Sequence, residues 1–152
     1  MPKILVIHGP TLNLLGVRQK SIYGNESLAR INRELRKLGR QEKVTVSFYQ
    51  SNSEGAIVNK LQQARRRFDA ILINPAAFTH TSVAIRDAAA AIEIPVIEVH
   101  LSNIQAREEF RRQSYLSPVA SGVIFGFGIE SYLLGLRGAI ALLRAKKGRA
   151  DV

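Results

Sequence analysis

Short apolar runs alternate with helix-like segments along this chain, and that alternation limits its fold more than any other feature. The runs are rich in β-branched residues and lack the polar alternation of half-exposed strands, so each predicts a buried strand. They cover residues 3–8, 44–49, 70–74, 95–100 and 122–127. Apolar residues at helical spacing predict the helices between and after them. Four of these helices cover residues 27–41, 81–92, 104–113 and 130–146. A further helix follows the second strand and begins at a capping signature formed by Ser51 and Glu54.

Regular alternation of strand and helix is typical of an α/β fold, in which helices cover both faces of a parallel sheet. Because crossovers between parallel strands are right-handed, the flavodoxin-like strand order 2-1-3-4-5 is the natural one for five strands. The length of 152 residues predicts a single domain over residues 1–152. Within it, residues 9–26 lack periodicity and predict a lid loop, and residues 145–152 predict a frayed tail.

The composition excludes several classes of protein. The chain has no Cys, which rules out disulfides, thiolate metal sites and a Cys nucleophile. It has no apolar run of the ~18 residues that a membrane span needs and no signal-peptide pattern, so we expect a cytoplasmic protein. Its 22 Lys and Arg residues against 12 Asp and Glu give a net charge of +10. Such a charge attracts anions, either nucleic acid or a small carboxylate or phosphate.

All three histidines of the chain come at or after the ends of predicted strands. His8, His80 and His100 are therefore expected at the carboxyl edge of the sheet, where parallel α/β folds bind ligands. Three titratable rings at one edge favour a functional cleft over structural histidines, whereas for His8 alone the two interpretations are about equally supported. Asn13 and Asn74 fall at the same edge.

Two further pairs of residues favour acid–base chemistry on an anion. Glu98 and His100 are two residues apart on one strand and share a face, so the carboxylate can fix the tautomer of the ring. Alternatively, Glu98 pairs with a neighbouring Arg. Arg107 and Arg111 are four apart on a predicted helix and can bind a carboxylate, or they can pair with the adjacent glutamates as surface residues do.

The phosphate-binding and metal-binding motifs that many proteins of this fold carry are absent from the sequence. No GxGxxG follows the first predicted strand, and no GxxxxGK[ST] occurs. Two histidines without suitably spaced carboxylates or cysteines make a poor zinc site. We therefore expect neither a nucleotide cofactor nor a metal.

Six motifs taken together resemble those of the type II 3-dehydroquinate dehydratases. In chain order they are GPTLNLLGVR, IYG, QSNSEG, NPAAFTHTSVAIRDA, EVHLSN and REEFRRQSYLSPVASGVIFGFG, and the likeness spans residues 4–143. Members of that family have the flavodoxin-like fold, form dodecamers built as tetramers of trimers, and use no cofactor or metal. The resemblance implies a hydro-lyase of the shikimate or quinate pathway. Such an enzyme converts 3-dehydroquinate to 3-dehydroshikimate by syn elimination of water through an enolate.

The resemblance also implies roles for individual residues. Tyr23 matches the base that removes the proton next to the ketone, and Arg18 matches the lid arginine that stabilises the transition state. His100 matches the acid that protonates the departing hydroxyl, with Glu98 as its partner. Asp87 is expected to reach the site of a neighbouring subunit. The positions that match substrate-binding residues are Asn74, His80, Asp87, Leu101, Ser102 and Arg111, and Asn13 and Arg107 are expected to support the site.

The chain departs from the family's usual motifs at His8, Thr11 and Ser53, where NGPNLNLLG and QSNHEG are common. These departures concern hydrogen bonds near Tyr23 and the lid. A free Tyr has a pKa of about 10, and one Arg lowers a pKa by roughly 1–3 units. A phenolate at neutral pH therefore needs a second cation or a desolvated, hydrogen-bonded site as well.

A second interpretation of the sequence is a basic flavodoxin-like module that binds RNA or another polyanion without catalysis. The net charge of +10 supports it. The cluster of polar residues at one sheet edge does not, and an aromatic content of 7% leaves few rings for base stacking.

Overall fold

Five parallel strands form one sheet in the computed structural model, which describes residues 1–17, 20–23 and 26–150, with backbone alone for Lys20, Tyr23 and Ala150. The strands are β1 (Lys3–His8), β2 (Thr45–Gln50), β3 (Ala70–Asn74), β4 (Val96–His100) and β5 (Gly122–Phe125). Their order is β2-β1-β3-β4-β5, which confirms the predicted α/β class and the order 2-1-3-4-5. β5 ends two residues earlier than predicted because Gly126 adopts φ 100°, a left-handed conformation that leaves the strand.

Helices cover both faces of the sheet, as the sequence predicts. The helices are α1 (Lys20–Tyr23), α2 (Leu28–Gln41), α3 (Glu54–Ala64), α4 (Val83–Ala91) and α5 (Ile129–Ala150). α2 and α5 pack against Ile4 and Val6 on one face of β1, and α3 and α4 pack with Leu5 and Ile7 on the other. Because successive side chains of a strand point to opposite faces, β1 supplies apolar residues to both cores.

The prediction of a helix over residues 104–113 is wrong. Two short 3-10 turns occupy this segment, Ile104–Ala106 and Glu109–Arg111. Arg107 separates them with an extended backbone, and the side-chain amide of Gln105 donates to the Arg112 carbonyl at 2.9 Å. Local side-chain bonds of this kind offer the backbone an alternative to continuous helix.

Two helix ends also differ from the prediction. Ser53, not Ser51, caps α3, because its hydroxyl accepts from the Ala56 amide at 3.2 Å, while the Ser51 hydroxyl accepts from the Ser53 amide at 3.0 Å. α5 continues to Ala150, so residues 145–150 are helical rather than frayed. The Ala, Lys and Arg residues of that end are strong helix formers, and residues 151–152 lie outside the described part.

The predicted lid loop over residues 9–26 contains some regular structure. A 3-10 turn covers Leu12–Leu14, and Leu12 and Leu15 are buried in the core that α2 and α5 share. The first part of this segment is therefore anchored by apolar burial, and α1 follows it. No described helix is long and apolar enough to cross a membrane, and the cytoplasmic location stays a prediction.

Candidate active site

A cleft opens at the carboxyl edge of the sheet, beyond the ends of β1, β3 and β4. Its lining comes from three segments: residues 10–12 after β1, residues 74, 76, 77 and 80 at the end of β3, and residues 100–102 and 104 at the end of β4. Arg107 and Arg111 complete the described lining. Of the residues predicted for the site, the cleft thus brings together Asn74, His80, His100, Leu101, Ser102, Arg107 and Arg111.

Close backbone packing fixes the β1 and β3 sides of this cleft. The Gly9 amide donates to the Asn74 carbonyl at 2.7 Å. A Cβ at Gly9 would lie 2.6 Å from the carbonyl carbon and oxygen of Pro75, so only glycine fits there. The Asn74 side-chain oxygen accepts from the Ala76 amide at 3.0 Å, and Ala76 is held at φ 52°. Asn74 is therefore held at the floor of the cleft from both its backbone and its side chain.

Glu98 and His100 form the carboxylate–imidazole pair that the sequence predicts, and it is buried. His100 Nε2 lies 2.6 Å from Glu98 Oε2, and the Glu98 side chain is fully buried. Three hydroxyls also donate to this carboxylate: Thr79 at 2.7 Å, Ser117 at 2.7 Å and Ser114 at 2.9 Å. Glu98 therefore has an imidazole and three hydroxyls as its partners, and not the neighbouring Arg that the sequence also allowed.

The environment of Glu98 keeps its carboxylate ionised. Burial alone would raise its pKa, but the hydrogen bond and charge of His100 and the hydroxyls of Ser117 and Thr79 outweigh it and lower the pKa below its usual value. An ionised, fully hydrogen-bonded carboxylate fixes the orientation of the His100 ring. The sequence identified Glu98 and His100, whereas the contribution of Ser114 and Ser117 was missed. In the sequence, the only feature that sets these two serines apart is that they lie three residues from each other, just before Pro118.

His80 faces the same cleft in a different state. Its Nδ1 donates to the Gln113 carbonyl at 2.7 Å, which leaves Nε2 as the acceptor nitrogen of a neutral ring. Burial lowers the pKa of His80, the bond to Gln113 partly opposes that, and the positive charges of His100 and Arg111 lower it further. The two rings lie 6.4 Å apart between centroids. The cleft therefore holds one imidazole beside a carboxylate and a second one that favours neutrality.

The two arginines of the cleft share one carboxylate. Arg111 Nε lies 2.6 Å from Glu108 Oε2, and Arg107 Nε lies 3.8 Å from the same oxygen. Arg107 also donates to the Ser102 hydroxyl at 3.4 Å. Arg107 and Arg111 thus both pair with an adjacent glutamate, which confirms the alternative that the sequence left open. Both arginines also line the cleft. Because Glu108 is half exposed, the pairs leave the arginines able to bind an anion.

Four predicted site residues are not brought into this cleft by the described part of the chain. Asp87 lies on α4 with its side chain 63% exposed and bound to Arg86 at 2.8 Å. Asn13 accepts from the Gln50 side-chain amide at 3.4 Å and is not among the described lining residues. Arg18 and the side chain of Tyr23 lie outside the described residues.

His8 corrects the prediction that all three histidines belong to one functional cluster. It is 1% exposed and bonds on both sides, to the Tyr132 hydroxyl at 2.9 Å and to the Asn32 side-chain oxygen at 2.7 Å. Burial lowers the pKa of His8 to about 4, and the Asn32 bond only partly opposes this. In contrast to His80 and His100, His8 does not line the cleft among the residues that the structure describes. His8 is therefore a buried structural residue.

No group of three or more described His, Asp or Glu residues is arranged to hold a metal ion. The chemistry that the cleft offers is proton transfer by imidazole beside a carboxylate, together with anion binding by arginine.

Comparison with known proteins places this chain among dehydroquinases. The family described as dehydroquinase class II matches residues 2–140. The 3-dehydroquinate dehydratase of Desulforudis audaxviator is 54% identical over 149 residues, which cover 97% of this chain and 99% of the relative. That of Geotalea daltonii is 56% identical over 135 residues, covering 89% and 94%. The crystal structure of type II dehydroquinase from Butyrivibrio crossotus superposes with a TM-score of 0.89 at 46% identity, covering 91% and 97%.

Proposed function

The chain belongs to the class II dehydroquinase family, and from that premise we propose how its own residues remove water from 3-dehydroquinate. The enzyme is a hydro-lyase of the shikimate pathway, which leads to the aromatic amino acids.

The elimination proceeds in two steps through an enolate. The Tyr23 phenolate removes a proton from the carbon next to the ketone, and the electron pair of that C–H bond moves into the enolate. The enolate then re-forms the ketone, a carbon–carbon double bond forms, and the hydroxyl on the neighbouring carbon departs. His100 donates a proton to that hydroxyl, so that water and 3-dehydroshikimate leave.

The Glu98–His100 pair is the observation that carries this proposal. Since Nε2 of His100 is bound to the carboxylate at 2.6 Å, the proton for the departing hydroxyl comes from Nδ1. The Glu98 carboxylate also accepts from three hydroxyls, so it holds the ring of the proposed acid in one orientation. A buried, geometrically fixed acid of this kind typically contributes about 10²–10⁴-fold to a rate.

The other residues that line the cleft bind the substrate anion. Arg111 and the Leu101–Ser102 pair hold the carboxylate region, where guanidinium, amide and hydroxyl donors are all available. Asn74 and His80 bind the hydroxyl groups of the ring through neutral hydrogen bonds. Arg18 supplies positive charge to the phenolate and the enolate, and Asn13 and Arg107 support the site.

We further propose a dodecamer, built as a tetramer of trimers, in which Asp87 reaches the site of a neighbouring subunit. Its exposed position on α4, outside the cleft of its own chain, supports this placement. The reaction needs no cofactor and no metal.

Turnover of 3-dehydroquinate by the purified protein tests the proposal. The conjugated enone of the product absorbs in the ultraviolet, so its formation can be followed directly, with EDTA present throughout. We expect activity in EDTA, loss of turnover in Tyr23→Phe, and normal turnover in Tyr49→Phe, a matched loss of one hydroxyl on β2. Activity that EDTA removes and a divalent ion restores would overturn metal independence, and a normal kcat in Tyr23→Phe would remove Tyr23 as the base. No turnover, combined with steeply salt-dependent binding to nucleic acid, would favour the polyanion-binding alternative.

A further inference from the structure

A segment of five residues, 113–117, is connected by hydrogen bonds to both histidines that line the cleft, and is called the serine segment below. Its first carbonyl, that of Gln113, accepts from His80 Nδ1 at 2.7 Å. Its two serine hydroxyls donate to Glu98, which in turn binds His100 at 2.6 Å. The catalytic steps proposed above use no side chain of this segment.

Backbone hydrogen bonds and one apolar side chain hold the serine segment in place. The Tyr115 amide donates to the Thr79 carbonyl at 2.9 Å, in the turn that follows β3. Leu116 is 1% exposed and packs in the core that α3 and α4 cover. The Ser117 amide donates to the Ser114 hydroxyl oxygen at 3.0 Å, which closes the turn between the two serines. The segment is therefore a fixed part of the fold, and its hydroxyls have defined positions.

The two oxygens of the Glu98 carboxylate receive their hydrogen bonds from different parts of the chain. Oε2 accepts from His100 Nε2 at 2.6 Å and from the Thr79 hydroxyl at 2.7 Å. Oε1 accepts from the Ser117 hydroxyl at 2.7 Å and from the Ser114 hydroxyl at 2.9 Å, and the latter also lies 3.0 Å from Oε2. In the described part of the chain, Oε1 therefore depends on the serine segment for its donors.

Bonds to Oε2 alone would leave this carboxylate poorly fixed. The terminal torsion of a Glu side chain is broad, so the group could pivot about Oε2 and displace the His100 ring bound to it. A buried oxygen without donors would also favour the protonated carboxyl group. The proton of the 2.6 Å bond would then move from His100 Nε2 towards Glu98 Oε2. Donors on Oε1 oppose both changes.

We propose that the two hydroxyls of the serine segment are positioning groups, which act through Glu98 to hold the His100 ring where it can protonate the departing hydroxyl. This inference rests on the proposed function, since it takes His100 as the general acid. Neither serine belongs to the described lining of the cleft, so we expect neither to contact the substrate. Ser117 gives the cleaner test, because its hydroxyl bonds to Oε1, whereas the hydroxyl of Ser114 also accepts from the backbone.

The test compares Ser117→Ala with Ser117→Thr, which keeps a hydroxyl at this half-buried position. In Ser117→Ala we expect kcat for 3-dehydroquinate to fall about tenfold to a hundredfold while KM changes less than about twofold, because a displaced acid slows the step it serves and leaves binding intact. Ser117→Thr should retain kcat within about threefold, because its hydroxyl can still donate. An unchanged kcat in Ser117→Ala, or an equal fall in both variants, would overturn the proposal.

Two controls separate positioning from a general loss of stability. Ser121→Ala removes an exposed hydroxyl four residues further along the chain and should leave kcat unchanged. Ile57→Val removes a buried methyl from the core in which Leu116 packs, so it should lower the melting temperature without lowering kcat. A fall in kcat in Ile57→Val equal to that in Ser117→Ala would mean that loosening of the core causes the effect, and would overturn the proposal.

Nitrogen NMR of the His100 ring gives a readout that does not depend on turnover, and a His100→Asn variant assigns its signals. In the wild type we expect the proton of the 2.6 Å bond on Nε2, since the Glu98 carboxylate is ionised. In Ser117→Ala the Nε2 signal should move towards the position of an unprotonated nitrogen, because a carboxylate with fewer donors holds a proton more tightly. Ser117→Thr should keep the wild-type signal, and the His80 signals should stay unchanged in both variants.

The NMR result keeps failure of this inference distinct from failure of the proposed function. His100 signals that are the same in the wild type and in Ser117→Ala would overturn the inference even in an active enzyme. A wild type without turnover, in which Ser117→Ala still moves the Nε2 signal as expected, would support the positioning of the ring and count against the proposed function instead.

Discussion

His8 and Glu98 are both buried titratable residues near the carboxyl edge of the sheet, yet their surroundings favour opposite charge states. His8 is bound to two neutral groups, so burial dominates and holds the ring neutral. Glu98 is equally buried, but an imidazole and three hydroxyls donate to it, and it stays charged. The number of donors facing each group decides its state, and burial alone does not.

Acid should therefore destabilise this protein partly through His8. Its pKa is about 4 in the folded chain and 6.5 when unfolded, so the unfolded state binds more protons between these values. Stability contributed by His8 is complete above pH 6.5 and is lost as the pH falls toward 4, by about 3 kcal/mol over the full window. Denaturant unfolding at a series of pH values measures this loss.

The matched comparison is His8→Asn, which removes the titration but retains a polar side chain. Its free energy of unfolding should fall less steeply between pH 6.5 and 4 than that of the wild type. Glu98 contributes in a lower window, since its folded pKa is lowered and its contribution is lost below about pH 4.5. Equal slopes for both proteins between pH 6.5 and 5 would contradict the assignment of a buried neutral ring at His8.

At the scale of secondary structure, β4 and β3 accept α5 at very short range. A Cβ at Gly135 would lie 2.7 Å from Val99 Cγ2 and 2.8 Å from Leu72 Cδ1, whereas one at Gly138 meets nothing within 4 Å. Gly135→Ala should therefore destabilise the fold by about 1–3 kcal/mol through overpacking. Gly138→Ala on the same helix should be neutral or stabilising by up to about 1 kcal/mol, because Ala is the better helix former. Thermal unfolding of the two variants side by side gives the comparison, and equal melting temperatures would contradict the close approach.

The lid segment, residues 9–26, supplies the second prediction at this scale. If Arg18 stabilises the phenolate and the enolate, Arg18→Ala should lower kcat by about 10²–10³, and the acidic limb of the pH–rate profile should move upward. Arg18→Lys should not restore activity fully, because Lys lacks the planar fork. Measurement of kcat and KM against pH checks this, with Lys20→Ala as a control that removes one positive charge from the same segment. A tenfold rise in KM at unchanged kcat would show instead that Arg18 only binds the substrate and does not stabilise the transition state.

The strands and their order could be predicted from the sequence because buried β-branched runs, bounded by Pro75 and by glycines, leave few other possibilities. The segment over residues 104–113 could not. Its apolar and basic residues have helical spacing, but side-chain bonds of Asn103 and Gln105 favour two separate turns. Tertiary contacts between distant segments have no local signal in a single sequence.

The period of the strands determines what the sequence could and could not show about the cleft. Because successive side chains of a strand point to opposite faces, Glu98 and His100 share the face opposite to Val99 and Leu101. Their spacing of two residues is enough to predict this from the sequence. The same rule places His8 with the core under α2 and α5, but nothing local to His8 indicates that Tyr132 would meet it there from 124 positions away. The cluster of three histidines therefore divides into two rings that line the cleft and one buried ring that does not line its described part.

At the scale of the whole molecule, Asp87 distinguishes a site within one chain from a site shared between chains. Within its own chain its side chain is exposed, pairs with Arg86, and does not contribute to the described lining of the cleft. A dodecamer should have a mass near twelve times the 16.8 kDa of one chain, measurable by light scattering or native mass spectrometry. A single-chain mass at assay concentration would contradict the proposed assembly.

Subunit mixing tests the shared site directly. Asp87→Ala and Tyr23→Phe should each be nearly inactive, the first through weakened substrate binding and the second through loss of the base. When the two variants are dissociated, mixed in equal amounts and reassembled, some sites combine Tyr23 of one subunit with Asp87 of its neighbour. Random assembly of such closed symmetric oligomers makes this combination in about a quarter of all sites, so about a quarter of the wild-type activity should return. Reassembly of each variant alone is the control and should restore nothing. If Asp87 serves the cleft of its own chain, every site in the mixture lacks one of the two residues, and activity stays at the level of the separate variants.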